Sequence, residues 1–214
     1  MALRAAIFDL DGTLIDSLAD IAGSANHALA AAGLPTHAVE AYRAFIGHGL
    51  HELLRRAAPS GADVQALAAV WSVHYTSHCT ALTRPFPGIE PSLEALRAAG
   101  LRFAVVSNKP DRFTQQIVAA LFPADTFVFV AGERADLPRK PDPTATLAAL
   151  KALGTSPEHT CFVGDSPVDI STARATGTVA VGVSWGFRAR ASIEEADLVF
   201  DHPDQLATLA HYRP

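Results

Sequence analysis

Cysteine is almost missing from this chain: 214 residues carry two, Cys79 and Cys161. They lie far apart and fit neither a disulfide framework nor a zinc-ligand spacing. Cys161 falls in a strand-like run and reads as a small core residue. Lysine is scarce, with three, and the formal net charge is -5. That balance disfavours nucleic acid or an anionic membrane surface as the main partner, so any anionic ligand must meet a local positive site. No apolar run approaches the ~20 residues that span a bilayer. The apolar start is broken by Asp9 and Asp11, which argues against a secretory leader. No internal repeat or low-complexity tract occurs. The expectation is a soluble, cytoplasmic protein with no nucleic-acid or membrane partner.

What is present is an ordinary globular composition, 49% hydrophobic and 18% charged. The length suggests about one to two domains at ~150 residues each, able to bury roughly 70% of the unfolded surface. Apolar runs at 3–9, 101–107, 126–131, 159–164, 178–183 and 197–200 read as strands. Segments with a period near 3.6 separate most of them. This alternation predicts an α/β fold, a Rossmann-like parallel sheet with helices on both faces. Ligands of such sheets bind outside the carboxyl ends of the strands.

One helical stretch interrupts the alternation. Leu18, Ile21, Ala22, Ala25, Leu29 and Ala32 trace one helix face, ended by Gly33 and Pro35. A shorter helix is expected over 38–45. Leu50, Leu53, Leu54 and Ala57 trace another face, and Val64, Leu67, Ala68, Trp71 and Tyr75 a third. The chain returns through Arg84-Pro85-Phe86-Pro87-Gly88, a turn-rich linker. The expected organisation is a core of residues 1–15 and 85–214 with an inserted helical domain, 16–84. Two connections would let the insert act as a hinged lid; a fixed bundle beside the sheet is the alternative.

Reactive residue types follow the apolar runs. The first run ends in Asp9-Leu10-Asp11-Gly12-Thr13. In a strand, positions i and i+2 share a direction, so the two carboxylates lie close together. They can divide a phosphoryl transfer, one attacking and one moving protons; a strand followed by an Asp-Gly turn is the plainer alternative. The second run ends in Ser107-Asn108-Lys109-Pro110, either a phosphate cradle or a helix cap. Lys140 is held in the Pro-flanked loop Arg139-Lys140-Pro141-Asp142-Pro143. The fourth run ends in Gly164-Asp165-Ser166-Pro167-Val168-Asp169. A capping box accounts for Asp169 but not for Asp165. If Asp9, Asp165 and Asp169 converge, each pair at ~5 Å repels by roughly 3 kcal/mol at an effective dielectric of ~20. A cation relieves that, and an all-oxygen site open to water suits Mg²⁺.

These motifs, in this order and spanning nearly the whole chain, resemble the haloacid dehalogenase superfamily of hydrolases, with the insert similar to its helical cap. Phe45-Ile46-Gly47-His48-Gly49-Leu50, Ser107-Asn108-Lys109-Pro110 and Gly182-Val183-Ser184-Trp185-Gly186 resemble the phosphoglycolate phosphatase branch. The resemblance implies a Mg²⁺-dependent phosphatase of a small phosphorylated metabolite, 2-phosphoglycolate first, acting as a monomer or homodimer. It implies Asp9 as nucleophile and Asp11 as acid and base. Thr13, Ser107, Asn108, Lys140 and His48 would meet substrate. Asp9, the Asp11 carbonyl and Asp165 would hold the metal, with Asp169 behind them or bridged by water. Asp11 argues against a dehalogenase, which needs no such proton carrier. The absence of lysine from 16–84 argues against a phosphonate hydrolase. A sugar-phosphate mutase, other small-molecule phosphatases on the same scaffold, and an inactive binding module are the remaining alternatives.

Overall fold

The computed structural model describes residues 2–213. Met1 and Pro214, the outer ends of the expected core segments, lie outside the described residues. In chain order the elements are β1 (Ala5–Phe8), β2 (Ile15–Asp16), α1 (Leu18–Ala31), a 3₁₀ turn (Val39–Ala44), α2 (Leu50–Ala57), α3 (Val64–His78), β3 (Arg84–Pro85) and α4 (Ile89–Ala98). They continue with β4 (Arg102–Pro110), α5 (Asp111–Leu121), β5 (Phe129–Glu133), α6 (Thr144–Leu153), β6 (Thr160–Gly164), α7 (Pro167–Thr176), β7 (Val179–Val183), β8 (Leu198–Phe200) and a closing 3₁₀ segment (Pro203–His211).

Six strands form one parallel sheet in the order β5-β4-β1-β6-β7-β8. The sheet is covered on both faces, which is why β1 is apolar at every position. Its side chains alternate. Ala6 and Phe8 join a core with α4 and α5, while Ala5 and Ile7 join a second core with α6 and α7. β1 lies between β4 and β6, so its carboxyl end opens at the point where the strand order turns outward in both directions.

The helical stretch between β2 and β3 buries the faces its periodicity predicts. Leu18, Ile21, Ala22, Ala25 and Leu29 are buried on α1, Leu50, Leu53, Leu54 and Ala57 on α2, and Leu67, Ala68, Trp71 and Tyr75 on α3. Ala32 is exposed and lies one residue past the end of α1. Gly33, at φ 69°, closes the helix: its N–H donates to Ala30 O and that of Leu34 to Leu29 O. The segment expected as a helix over 38–45 is a tighter 3₁₀ turn.

The two connections to the sheet are tied to each other. β2 and β3 pair antiparallel, Ile15 with Pro85 and Asp16 with Arg84. The buried Asp20 carboxylate accepts from Leu82 N, Thr83 N and Thr83 Oγ1 at 2.9, 2.8 and 2.7 Å.

Two strands differ from expectation. The run at 126–131 pairs only from Phe129, because Thr126 N closes a turn onto Pro123 O. β4 extends past Ser107 to Pro110, with an irregularity between Val106 and Pro110 that interrupts its pairing with β5. A bulge of this kind re-aims side chains at a sheet rim, and Ser107, Asn108 and Lys109 are the residues affected.

Candidate active site

β1 ends one residue before Asp9, β6 ends one before Asp165, and α7 carries Asp169 on its first turn. One carboxylate oxygen from each of these three lies within 4.8 Å of the other two. Lys140 Nζ lies between two of the acids, 2.9 Å from Asp9 Oδ1 and 2.6 Å from Asp169 Oδ1. The lysine loop is fixed from β4: Lys140 N donates to Asn108 Oδ1 at 2.7 Å, and Asn108 Nδ2 donates to Lys140 O at 3.1 Å. Asp169 also accepts from Ser166 N and Oγ, which realises the helix-capping contact and leaves it facing inward. Asp165 Oδ2 accepts from Phe187 N at 2.7 Å.

The backbone is built closely around these acids. A Cβ on Gly186 would overlap the Gly12 carbonyl oxygen and Asp165, and one on Gly164 would overlap Asp169. The glycine of Ser184-Trp185-Gly186 is therefore required by close approach to Asp165. Trp185 Nε1 donates to Thr13 O at 3.0 Å, which ties the same loop to the first motif.

Lys140 pairs with Asp9 and Asp169 but not with Asp165, and the electrostatics follow. Burial, with Asp169 and Asp9 adding repulsion, pushes Asp165 up to about 8. Burial likewise pushes Asp9 up to about 6, against the pull of Lys140. Against the cost of its own burial, Asp169 and Asp9 hold Lys140 above its ordinary value. An all-oxygen set with uncompensated negative charge fits a hard divalent cation. Among the described residues, Asp9, Asp165 and Asp169 form the one group of three or more acid, histidine or cysteine side chains close enough to hold a metal ion.

Asp11 faces another way. Its two oxygens each lie 3.0 Å from Lys109 Nζ, and Oδ1 also accepts from Ser17 Oγ at 2.5 Å. Lys109 and Ser17 were not among the expected site residues. The signal available for Lys109 was its rarity: it is one of three lysines, next to Asn108 at a strand end. Ser107 does not cap the following helix, since α5 starts at Asp111 with Pro110 before it.

Asp9, Asp11, Ser107, Asn108 and Asp165 line one cleft. Its opposite wall is apolar and comes from the helical insert: Ile21, Ile46, Leu50, Leu53 and Trp71. Trp71 thus serves as both core and cleft wall, stacked on Tyr75 at 4.2 Å with Phe113 of α5 edge-on at 5.4 Å. His48 lines a separate outer cleft beside Arg56, Arg139 and Lys140. Burial, Arg56, Arg188 and Arg139 all lower its pKa. Thr13 is fully buried and does not line the main cleft; its Oγ1 has no partner among the described residues. His74 and His78 stack, and His27 stacks on His74, but the three do not form a cluster able to hold a metal.

Four core-side donors and acceptors hold the loop over this cleft. Arg188 donates to the carbonyls of Arg43 and Ile46, Asn108 Nδ2 to Gly47 O at 3.1 Å, and Arg139 Nη1 to His48 O at 2.5 Å. Arg43 Nη1 reciprocates onto Gly186 O at 3.1 Å.

The family described as haloacid dehalogenase-like hydrolase matches residues 6–183. Phosphoglycolate phosphatase of Pseudomonas putida is 36% identical over 209 residues, covering 92% of this chain and 76% of that protein. N-acetylmuramic acid 6-phosphate phosphatase of Pseudomonas aeruginosa is 34% identical, covering 96% and 94%. Among solved structures, a predicted phosphoglycolate phosphatase from Haemophilus somnus superposes with a TM-score of 0.87 at 28% identity, covering 97% of each chain. A family match over residues 6–183, with relatives more than 30% identical over most of the chain, makes this chain a member of the haloacid dehalogenase-like hydrolase family.

Proposed function

We propose that this hydrolase is a Mg²⁺-dependent phosphatase that cleaves a small phosphomonoester through an aspartyl-phosphate on Asp9, with 2-phosphoglycolate as the first candidate substrate. The observation that carries the reading is the convergence of Asp9, Asp165 and Asp169, with Lys140 Nζ paired to Asp9, beside a cleft that Asp9 and Asp165 line. In this reading an Asp9 carboxylate oxygen bonds to phosphorus as the ester P–O bond breaks. Asp11 gives a proton to the departing alkoxide, and the alcohol leaves. Asp11 then takes a proton from water as the water oxygen bonds to phosphorus and the Asp9–phosphorus bond breaks. Lys140 steadies Asp9, and Ser107 with nearby backbone N–H groups orients the phosphoryl oxygens. Asp9, Asp165 and the Asp11 carbonyl would hold the divalent ion, with Asp169 supporting Lys140 and the cluster. When bound, that ion would screen the phosphate from the attacking carboxylate. The insert 16–84 is proposed to act as a cap domain on the core of 1–15 and 85–214, its apolar wall excluding water from the cleft.

Phosphate release from 2-phosphoglycolate, with Mg²⁺ and with chelator, tests the reading. Asp9→Asn is expected to abolish both turnover and the phosphorylated Asp9 peptide recovered after acid quench of the wild type. Undiminished turnover by Asp9→Asn would remove the covalent mechanism. A second reading, an amino-sugar 6-phosphate as substrate, is favoured by the full-length likeness to the Pseudomonas aeruginosa phosphatase. The ratio of kcat/KM for the two substrates decides between them. Phosphoryl transfer onto a sugar phosphate without phosphate release would instead reveal a mutase.

A further inference from the structure

We propose that Lys109 is a positioning residue for Asp11, clamping its carboxylate so that a single oxygen, Oδ2, is left to move the proton. The inference rests on the reading of Asp11 as proton carrier given above. The Lys109 side chain is 3% exposed, and among the described residues the one carboxylate its Nζ pairs with is that of Asp11, 3.0 Å from each oxygen. Its other neighbour is the face of Tyr75 on α3, 4.8 Å to the ring centroid, which fixes the ammonium without competing for it. Ser17 Oγ, at the foot of the insert, takes a further lone pair of Oδ1 at 2.5 Å. A carboxylate offers about four lone-pair sites. Oδ1 uses both of its own on Lys109 and Ser17, while Oδ2 keeps one free, and Asp11 and Lys109 both line the main cleft. Lys140 serves Asp9 and Asp169, so the two buried lysines divide the two working carboxylates between them.

The test is a double-mutant cycle read as kcat/KM, which reports only steps through departure of the leaving group. The substrates are 2-phosphoglycolate, ethyl phosphate, whose alkoxide needs a proton, and p-nitrophenyl phosphate, whose phenolate does not. Asp11→Asn should lose about 10²- to 10⁴-fold on both alkyl esters and little on the aryl ester. Lys109→Met should lose about 10- to 10²-fold with the same leaving-group pattern, a fraction of that general-acid contribution. Lys109→Arg should recover part of it. On the Asp11→Asn background, Lys109→Met should change nothing further, because a residue acting through another is non-additive with it. Should Lys109→Met alone fail to fold, the double variant removes both charges of the pair, and its comparison with Asp11→Asn still decides. Equal losses on alkyl and aryl esters, a loss confined to the carboxylate-bearing 2-phosphoglycolate, or full additivity overturns the proposal. If Asp11→Asn itself treats all three esters alike, the reading of Asp11 is what fails.

Discussion

Asp165 makes its contacts at the expense of its own ionisation: burial and two neighbouring carboxylates oppose its charge, and among the described residues a backbone N–H is its one hydrogen-bond donor. Asp165→Asn is therefore expected to melt higher than the wild type at pH 8 in chelator, and to bind the divalent ion at least ~10-fold more weakly, since even the outer partners of metal ligands cost that much. Calorimetry with and without Mg²⁺ checks both parts; a variant that keeps the wild-type response to the ion would remove Asp165 from the site. Space alone requires glycine at 186, whose φ is not positive. Gly186→Ala should destabilise by about 1–3 kcal/mol, the usual range for overpacking, because its Cβ has Gly12 and Asp165 in its way. Gly23→Ala on α1, where nothing lies within 4 Å, should instead stabilise by up to about 1 kcal/mol. Matched denaturant unfolding of the two variants tests the contrast.

The elements explain why that site stays assembled. Parallel pairing of β1 with β4 and β6 sets Asp9, Ser107 and Asp165 on one rim. The loop from Arg43 to His48 is held mainly through its carbonyls, so the latch depends chiefly on donors from the core and on the loop's backbone shape, with the Arg43 side chain adding one bond back to Gly186 O. Arg188→Gln removes a charged donor, and such bonds contribute about 1.5–3 kcal/mol each. Faster amide exchange over residues 43–49 is expected, with a rise in KM that exceeds any fall in kcat. Unchanged exchange would mean that the loop is held by packing alone. The faces of α1, α2 and α3 were legible in the sequence because each buries one stripe at the helical period. The start of β5 was not, because Val128 and its neighbours are as apolar as the strand that follows and only the Pro123–Thr126 turn delays pairing.

Over the whole molecule, the buried acids couple the fold to pH. Without metal, Asp165 near 8 and Asp9 near 6 hold protons in the folded state that the unfolded chain, with Asp at about 3.9, has already released. Between about pH 4 and 8 the folded state binds more protons, so unfolding free energy falls as pH rises through that window. A cation that binds only the folded chain with ionised ligands reverses this. The melting temperature in chelator is expected to fall from pH 5.5 to pH 8, and Mg²⁺ to raise it more at pH 8 than at pH 5.5. A metal-induced rise independent of pH would place the ion away from these acids. No helix among the described residues is long and apolar enough to cross a membrane.

The order of strand-end motifs, the apolar stripes of the insert and the acid count at Asp9, Asp11, Asp165 and Asp169 were determined by sequence alone, because strand alternation and helical period are local properties of the chain. The partner of each charge was decided only by the tertiary structure. In the sequence Lys109 comes just after an apolar run and Lys140 sits in a Pro-flanked loop; long flexible side chains then carry the Lys140 ammonium to Asp9 and that of Lys109 to Asp11. That choice depends on where neighbouring strands, a bulge in β4 and the ring of Tyr75 leave room for a buried cation, and these meet only when segments nearly a hundred residues apart fold against each other.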